Sequence, residues 1–165
     1  MHRSTDTHGS PNAVTGVYLD PLLPWQGTGP GPLVVIAPGT QGQGDQCAPS
    51  KLFTSVVHYT PPLDVMASYE SANAGLLLSK GIAVAVTDYA SLGTGAVHDY
   101  MNRLAQGHAV LDALRAATRL PGTAVPEILP GSTSSHVVSG LVGGSEQLDW
   151  LVGRFNLLAA PTHCP

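Results

Sequence analysis

The chain has 165 residues, which is enough for one domain with a single buried core. Hydrophobic residues make up 43 % of it and charged residues 11 %, a balance typical of a folded protein that excludes a coiled coil or a wholly disordered chain. The net charge is -4 and the seven Lys and Arg residues are scattered, which argues against nucleic acid as a partner because phosphate binding requires clustered cations.

Residues 1–32 are polar and rich in Gly and Pro, and the stretch "PWQGTGPGP" is typical of a loop that leads into the first strand. The N-terminal residues contain no apolar segment, so no export signal is visible in the chain. The longest apolar runs, "LVVIA" and "IAVAV", have the length of strands, and we expect no stable membrane span.

The first strong strand is predicted at Leu33 to Ala37, because a continuous apolar run of this length is typical of a parallel strand buried on both faces. The Gly-rich loop "GTQGQGDQCAPS" follows it. The spacing of apolar residues then predicts a helix from Asp64, a plausible N-cap, to Lys80, with Gly81 at the C′ position.

A second buried strand is predicted in "GIAVAVTDY", ending at Asp88. The longest predicted helix follows and stops at Pro121-Gly122. Its expected core stripe consists of Met101, Leu104, His108, Leu111 and Leu114.

This order of strands and helices predicts an α/β fold with a parallel sheet flanked by helices, in a single domain spanning residues 1–165. Another buried strand should follow Gly122, but "TAVPEILPGSTSS" carries two prolines and no apolar run of strand length. A final helix is expected to begin at Ser145, with a core face made of Leu148, Leu151, Val152 and Phe155.

The stretch "VVIAPGTQGQGDQCAPS" resembles the secretory lipase family, α/β-hydrolases that include fungal lipase A-like enzymes and actinobacterial secreted lipases. Three further stretches carry the resemblance: "GIAVAVTDYASLGTG", "YMNRLAQGHAVLDALRAATRLPGT" and "HVVSGLVGGSEQLDWLVGRFNLLAAPTHCP". It covers an N-terminal part, 18–121, and a C-terminal part, 136–165, which the junction 122–135 separates. The resemblance implies a secreted carboxylic ester hydrolase that acts on acylglycerols or other esters and uses no cofactor.

The chain departs from this family in its catalytic middle. No serine lies in the G-x-S-x-G elbow that presents the nucleophile of such enzymes, and the nearest stretch, "GGSEQ" at Ser145, lacks the second glycine. Glu127 is the only acidic residue between the long helix and His136, and its surroundings do not match those of the catalytic acid in the family. The resemblance therefore implies a hydrolase with an internal deletion that removes the elbow strand and the cap, and predicts negligible activity.

The resemblance assigns roles to five residues. His136, in "HVVSG", corresponds to the catalytic histidine of the family, and Asp45 or Gln46 corresponds to the oxyanion region. Cys47 and Cys164 match positions that form disulfides in the family with partners from the missing middle. Here the two are either unpaired or paired with each other.

Three alternatives stay open at this stage. Ser134 or Ser135 beside His136 could act as a nucleophile, with Glu127 or Asp88 as the acid. The chain could instead be a non-catalytic domain that binds a lipid or a protein, or the junction could be an artefact of a gene model. We interpret Asp88 as structural. No metal site is predicted, because none of the other six histidines has a metal-ligand spacing: His2, His8, His58, His98, His108 and His163.

Overall fold

The computed structural model describes residues 1–55, 57–60, 64–121, 152 and 156. Over these residues the chain is a mixed α/β structure, so the α/β class is confirmed. The strands are β1 (His2–Thr5), β2 (Pro11–Val14), β3 (Gly16–Leu19), β4 (Leu33–Ile36), β5 (Val57–Thr60), β6 (Asp64–Ala67) and β7 (Ala83–Thr87). A 3-10 turn spans Asp45–Cys47, and the helices are α1 (Pro49–Ser55), α2 (Glu70–Ser79) and α3 (Arg103–Ala117).

A three-stranded sheet in the order β3-β7-β4 forms the centre of the fold. The two predicted strands, β4 and β7, pair in parallel, with Val34 opposite Val84. The prediction of a wholly parallel sheet is wrong, however, because β3 pairs with β7 in the antiparallel direction. A Cβ atom at Gly16 would lie 2.5 Å from the Val86 carbonyl oxygen, so the close approach of these two strands depends on glycine here.

The core lies on both faces of β7, as predicted for a strand buried on both sides. On one face Val84 and Val86 pack with Ala74 and Leu77 of α2. On the other face Ala85 packs with Leu33 of β4 and with Ala117 of α3. Phe53 of α1 packs on the same face as α2, so helices cover both faces of the sheet, which is the layered arrangement that the sequence indicates.

The predicted helix over 64–80 is correct at its C-terminal end and wrong at its start. Residues Asp64–Ala67 form β6, which pairs in the antiparallel direction with β5, and the helix begins only at Glu70. Gly81 has φ +77°, its N–H donates to Leu78 O, and the Ile82 N–H donates to Leu77 O. These two bonds form the Schellman motif that a C′ glycine allows.

Helix α3 buries mainly a different face from the one predicted, although Leu114 of the predicted stripe packs partly buried against the second core cluster. Its buried residues are Ala105, Ala109, Ala113 and Ala117, at i, i+4 spacing, whereas Leu104 and Leu111 are 52 % and 51 % exposed. Small side chains let the helix lie close to the sheet and to β1, and this close packing places the leucines outward. Asn102 caps the helix by accepting hydrogen bonds from the backbone N–H groups of Leu104 and Ala105.

The loop predicted at "PWQGTGPGP" is confirmed, since β3 ends at Leu19 and β4 begins at Leu33. The sequence did not predict the strands before it, where β1 and β2 form a hairpin and β3 joins the central sheet. Polar contacts tie the hairpin to α3: the Ser4 hydroxyl donates to Asp112 Oδ2 at 3.0 Å, and His108 Nδ1 donates to Thr5 O at 3.2 Å. The residues of β1 and β2 are mostly polar and carry no apolar run of strand length, and β3 pairs with the distant strand β7, so local composition did not reveal these strands.

The predicted last helix lies mostly outside the described residues. Val152 is described and packs against the core cluster, in agreement with its predicted position on the buried face. The Asn156 N–H donates to Val152 O at 3.0 Å, which is a helical hydrogen bond. No helix in the described part of the chain is long and apolar enough to cross a membrane.

Candidate functional site

A cavity of about 160 Å³ opens where the parallel strands β4 and β7 end. In α/β folds, ligands bind in crevices at the carboxyl ends of parallel strands, where the loops after the strands meet. Most of the lining comes from two such loops, 38–42 after β4 and 89–101 after β7. The lining consists of Pro38, Gly39, Thr40, Gln41, Gly42, Pro49, Tyr89, Leu92, His98, Tyr100, Met101 and Gln106.

Tyr89 joins the two loops. Its backbone is left-handed, with φ +62°, and its hydroxyl donates a hydrogen bond of 2.8 Å to Pro38 O. Burial, followed by the negative charge of Glu70, raises the pKa of Tyr89 to about 12. The phenol therefore keeps its proton at neutral pH and remains a donor to the loop that carries Pro38.

The buried carboxylate of Glu70 faces the same loop from the start of α2. This residue is 6 % exposed, its Oε1 accepts a long hydrogen bond of 3.5 Å from the Gly39 N–H, and its Oε2 accepts one of 3.2 Å from Asn73. The neighbouring Tyr69 hydroxyl donates to Thr40 O at 3.3 Å. The first turn of α2 thus holds the Gly-rich loop through side-chain contacts, which gives the cavity one fixed wall.

The opposite wall contains His98 and Tyr100. The distance from His98 Nδ1 to the carbonyl oxygen of Ala90 is 2.7 Å. A carbonyl can only accept, so Nδ1 carries the proton and Nε2 carries the lone pair in the neutral ring. The Tyr100 hydroxyl lies 3.1 Å from Thr40 Oγ1, and this bond connects the two walls.

Two more residues of this region have left-handed backbones although they are not glycine: Ser91, with φ +67°, and Met101, with φ +60°. Together with Tyr89 they are the described non-glycine residues with positive φ. Each such residue costs of order 1–3 kcal/mol, and strained backbones of this kind cluster at ligand and active sites. Their position around one cavity supports its assignment as the candidate site.

Gln41 is a buried polar residue of the lining. It is 8 % exposed, and its Nε2 donates a long hydrogen bond of 3.5 Å to the Ser68 hydroxyl. Its Oε1 is buried and has no hydrogen-bond partner among the described residues. Buried carbonyl oxygens are normally paired, so this oxygen is an exception within the described structure.

Asp88 directly follows β7, precedes Tyr89 of the lining and is fully buried. Its Oδ1 accepts a hydrogen bond of 2.7 Å from the Ser50 N–H, and its Oδ2 accepts one of 2.6 Å from the Ser50 hydroxyl. The carboxylate therefore satisfies the first turn of α1, whose backbone N–H groups have no partner within the helix. This arrangement agrees with the interpretation of Asp88 as a structural residue.

The predicted oxyanion residues lie close to this site in sequence but are not part of the cavity lining. Asp45 and Gln46 are exposed and form the 3-10 turn that precedes α1, together with Cys47, which is 5 % exposed. Their role stays a prediction. His136, Ser134, Ser135, Glu127 and Cys164 lie outside the described residues, so the proposed catalytic and disulfide pairs stay predictions as well.

The sequence pointed to the loop after β4 but not to the residues within it that form the cavity. The signal was a Gly-rich stretch after a buried strand, which indicates a functional loop. Gln41 and Asp45 both lie in this stretch, so the signal did not distinguish the one that lines the cavity from the one that does not. His98 and Tyr100 carried no such signal, because their proximity to the loop depends on pairing between β4 and β7.

The described lining offers binding groups and lacks a nucleophile activated by a base. It contains the hydroxyl of Thr40, but this hydroxyl is bonded to Tyr100, and none of the lining residues is Ser, Cys, Asp or Glu. No group of three His, Cys, Asp or Glu side chains in the described part of the chain is placed to hold a metal ion.

Comparison with protein-family models and comparison with curated proteins both found no match for this chain.

Proposed function

We propose that this chain is an α/β domain of the secretory lipase type that binds carboxylic esters and hydrolyses them negligibly. Support for the ester-hydrolase ancestry comes from the resemblance of residues 18–121 and 136–165, with "GTQGQGDQCAPS" as its most specific part. Acylglycerols and other esters are the ligands that this ancestry implies. It also implies an extracellular location.

The observation that carries the binding proposal is the cavity at the carboxyl ends of β4 and β7. Its lining combines apolar and aromatic side chains with polar groups from Thr40, Gln41, His98 and Gln106, and such a mixture is usual for a small-molecule site. An engineered protein cavity of about 150 Å³ holds benzene, so about 160 Å³ suits a short ester or one end of a longer one.

The same lining explains why we expect negligible hydrolysis. A serine hydrolase needs a nucleophile, a histidine that takes its proton, and a carboxylate that orients the histidine. Here His98 Nδ1 is bonded to a backbone carbonyl, and the Thr40 hydroxyl is bonded to Tyr100. Loss of triad members lowers kcat by several orders of magnitude even in an intact enzyme.

The test treats the purified full chain with a fluorophosphonate probe and measures its intact mass, together with hydrolysis of short-chain nitrophenyl esters. We expect no covalent adduct and no turnover from a chain that circular dichroism shows to be folded. A stoichiometric adduct on Ser134 or Ser135, with turnover abolished in His136→Ala, would contradict the proposal and favour a rebuilt active site. Binding is measured in parallel by titrating ethyl acetate into the ¹⁵N-labelled chain and following the amide signals of residues 38–42.

A further inference from the structure

The carboxylate of Glu70 is buried beside the cavity without a cation to balance its charge. Glu70 is 6 % exposed, and Gly39, whose N–H donates to its Oε1, belongs to the lining. Hydrogen bonds from Gly39 and Asn73 stabilise the carboxylate but leave its negative charge in place. Among the described residues the ion pair is Arg115–Asp112, which lies on α3. Glu70 therefore imposes a negative potential on its surroundings, and the low dielectric of a protein interior strengthens that potential.

The field of this carboxylate reaches the cavity. Burial is the main cause of the raised pKa of Tyr89, a residue of the lining, and the negative charge of Glu70 is the second cause. A second buried carboxylate, Asp88, directly precedes Tyr89 and forms no ion pair with the described residues. The described lining contains no Lys or Arg. The charges around the cavity therefore favour a cation inside it and disfavour an anion.

One part of the lining is aromatic. Tyr89, His98 and Tyr100 all belong to it, and the ring centroid of His98 lies 6.4 Å from that of each tyrosine. The faces of aromatic rings attract cations that lie within about 6 Å of the ring centroid, and proteins use such rings to recognise quaternary ammonium groups. A quaternary ammonium group neither donates nor accepts hydrogen bonds, so its binding requires no free partner among the polar groups of the lining.

We propose that this cavity binds an ester whose alcohol part carries a quaternary ammonium group, and that the group lies against the aromatic rings in the field of Glu70. A trimethylammonioethyl group is about the size of benzene, which a cavity of about 150 Å³ holds. This inference rests on the proposed function, because it specifies the alcohol part of the same bound ester. It makes charge the property by which the cavity distinguishes esters of equal size.

The test compares two esters that have the same number of heavy atoms. In 3,3-dimethylbutyl acetate a carbon atom occupies the place of the positively charged nitrogen of acetylcholine, so the pair differs in charge and hardly in shape. Each ester is titrated into the ¹⁵N-labelled full chain, and the dissociation constant is read from the amide signals of residues 38–42. We expect acetylcholine to bind about tenfold more tightly, because only its ammonium group interacts favourably with the buried charge and the aromatic rings.

Two variants assign this preference to the buried charge. Glu70→Gln keeps the size of the side chain and an oxygen that accepts from the Gly39 N–H, but it removes the charge. We expect this variant to reduce the preference from about tenfold to about threefold, which is the part that the aromatic rings supply. Asp20→Asn is the matched control, since it removes the same charge from an exposed position outside the lining. Water and salt screen the charge of Asp20, so the preference should stay at about tenfold in the control.

The unmodified chain provides a readout that does not depend on the folding of a variant. Nuclear Overhauser contacts are expected between the N-methyl protons of acetylcholine and the ring protons of Tyr89 and Tyr100. Equal affinity for the two esters, contacts to other residues only, or a preference that Glu70→Gln leaves unchanged overturns the inference. Each of these results leaves the proposed function intact, because the neutral ester still binds. If neither ester binds, the inference and the proposed function are both overturned.

Discussion

Replacing Ser50 with alanine removes the hydroxyl that donates to Asp88 Oδ2 over 2.6 Å and leaves the backbone bond to Oδ1 in place. Hydrogen bonds to charged groups contribute about 1.5–3 kcal/mol, and Asp88 is fully buried, so water does not replace the lost donor. We therefore expect the variant to lower the free energy of unfolding by about 2 kcal/mol. Asp88→Ala should lower the free energy of unfolding by more, because it also leaves the Ser50 N–H without its acceptor at the start of α1.

Urea denaturation followed by far-ultraviolet circular dichroism measures this effect, and Thr54→Ala is the matched control. Thr54 is an exposed residue of the same helix, and its hydroxyl donates to the backbone carbonyl of Ser50 at 2.8 Å. Its removal should change the free energy of unfolding by no more than about 0.5 kcal/mol. The double variant Ser50→Ala/Asp88→Ala should show a coupling energy of about 1–2 kcal/mol. If Ser50→Ala lowers the free energy of unfolding by no more than Thr54→Ala does, the structural role assigned to Asp88 is wrong.

Three further outcomes are expected from the structure. Gly81→Ala should lower the free energy of unfolding, measured by urea denaturation, by about 2–4 kcal/mol, because φ is +77° and the new Cβ would lie 2.5 Å from the Trp25 backbone nitrogen. Gly75→Ala is the control: its Cβ would meet open space, and alanine favours a helix, so the free energy of unfolding should rise by about 0.5–1 kcal/mol. The free energy of unfolding should fall as pH rises from 10 to 12, because the folded chain keeps the Tyr89 proton that the unfolded chain releases. Tyr89→Phe should reduce this fall. A pH profile that the variant leaves unchanged would contradict the raised pKa of Tyr89. Asn102→Ala should cost about 1 kcal/mol through loss of the N-cap of α3, also measured by urea denaturation, and a neutral effect would refute the capping role.

The sequence predicted elements whose signal lies in their own residues, and it failed where an element forms only by pairing with another segment. The strands β4 and β7 are continuous apolar runs, and Gly81 marks a helix end whatever surrounds it. In contrast, Asp64–Ala67 has apolar residues that fit a helical spacing, and only pairing with Val57–Thr60 makes the segment a strand. The antiparallel strand Gly16–Leu19 was missed for the same reason.

The buried face of α3 shows why hydrophobicity alone misplaced a helix. The stripe through Leu104 and Leu111 is more hydrophobic than the alanine stripe through Ala109, yet only the alanines are buried. The face with small residues permits the shortest distance between the helix and the strands that it covers. Close packing therefore favours burial of the alanine face. A sequence pattern does not report how near two elements come to each other.

The same limit applies to the candidate site. The Gly-rich loop identified one wall of the cavity, while Tyr89, His98 and Tyr100 came from the loop after the second parallel strand. Those residues are bonded to backbone carbonyls or to another hydroxyl. A catalytic histidine donates from Nδ1 to a carboxylate, whose negative charge stabilises the imidazolium that forms when Nε2 accepts a proton. The neutral carbonyl of Ala90 orients the His98 ring without supplying that charge, so the described geometry does not give His98 the partner that a general base for ester hydrolysis has.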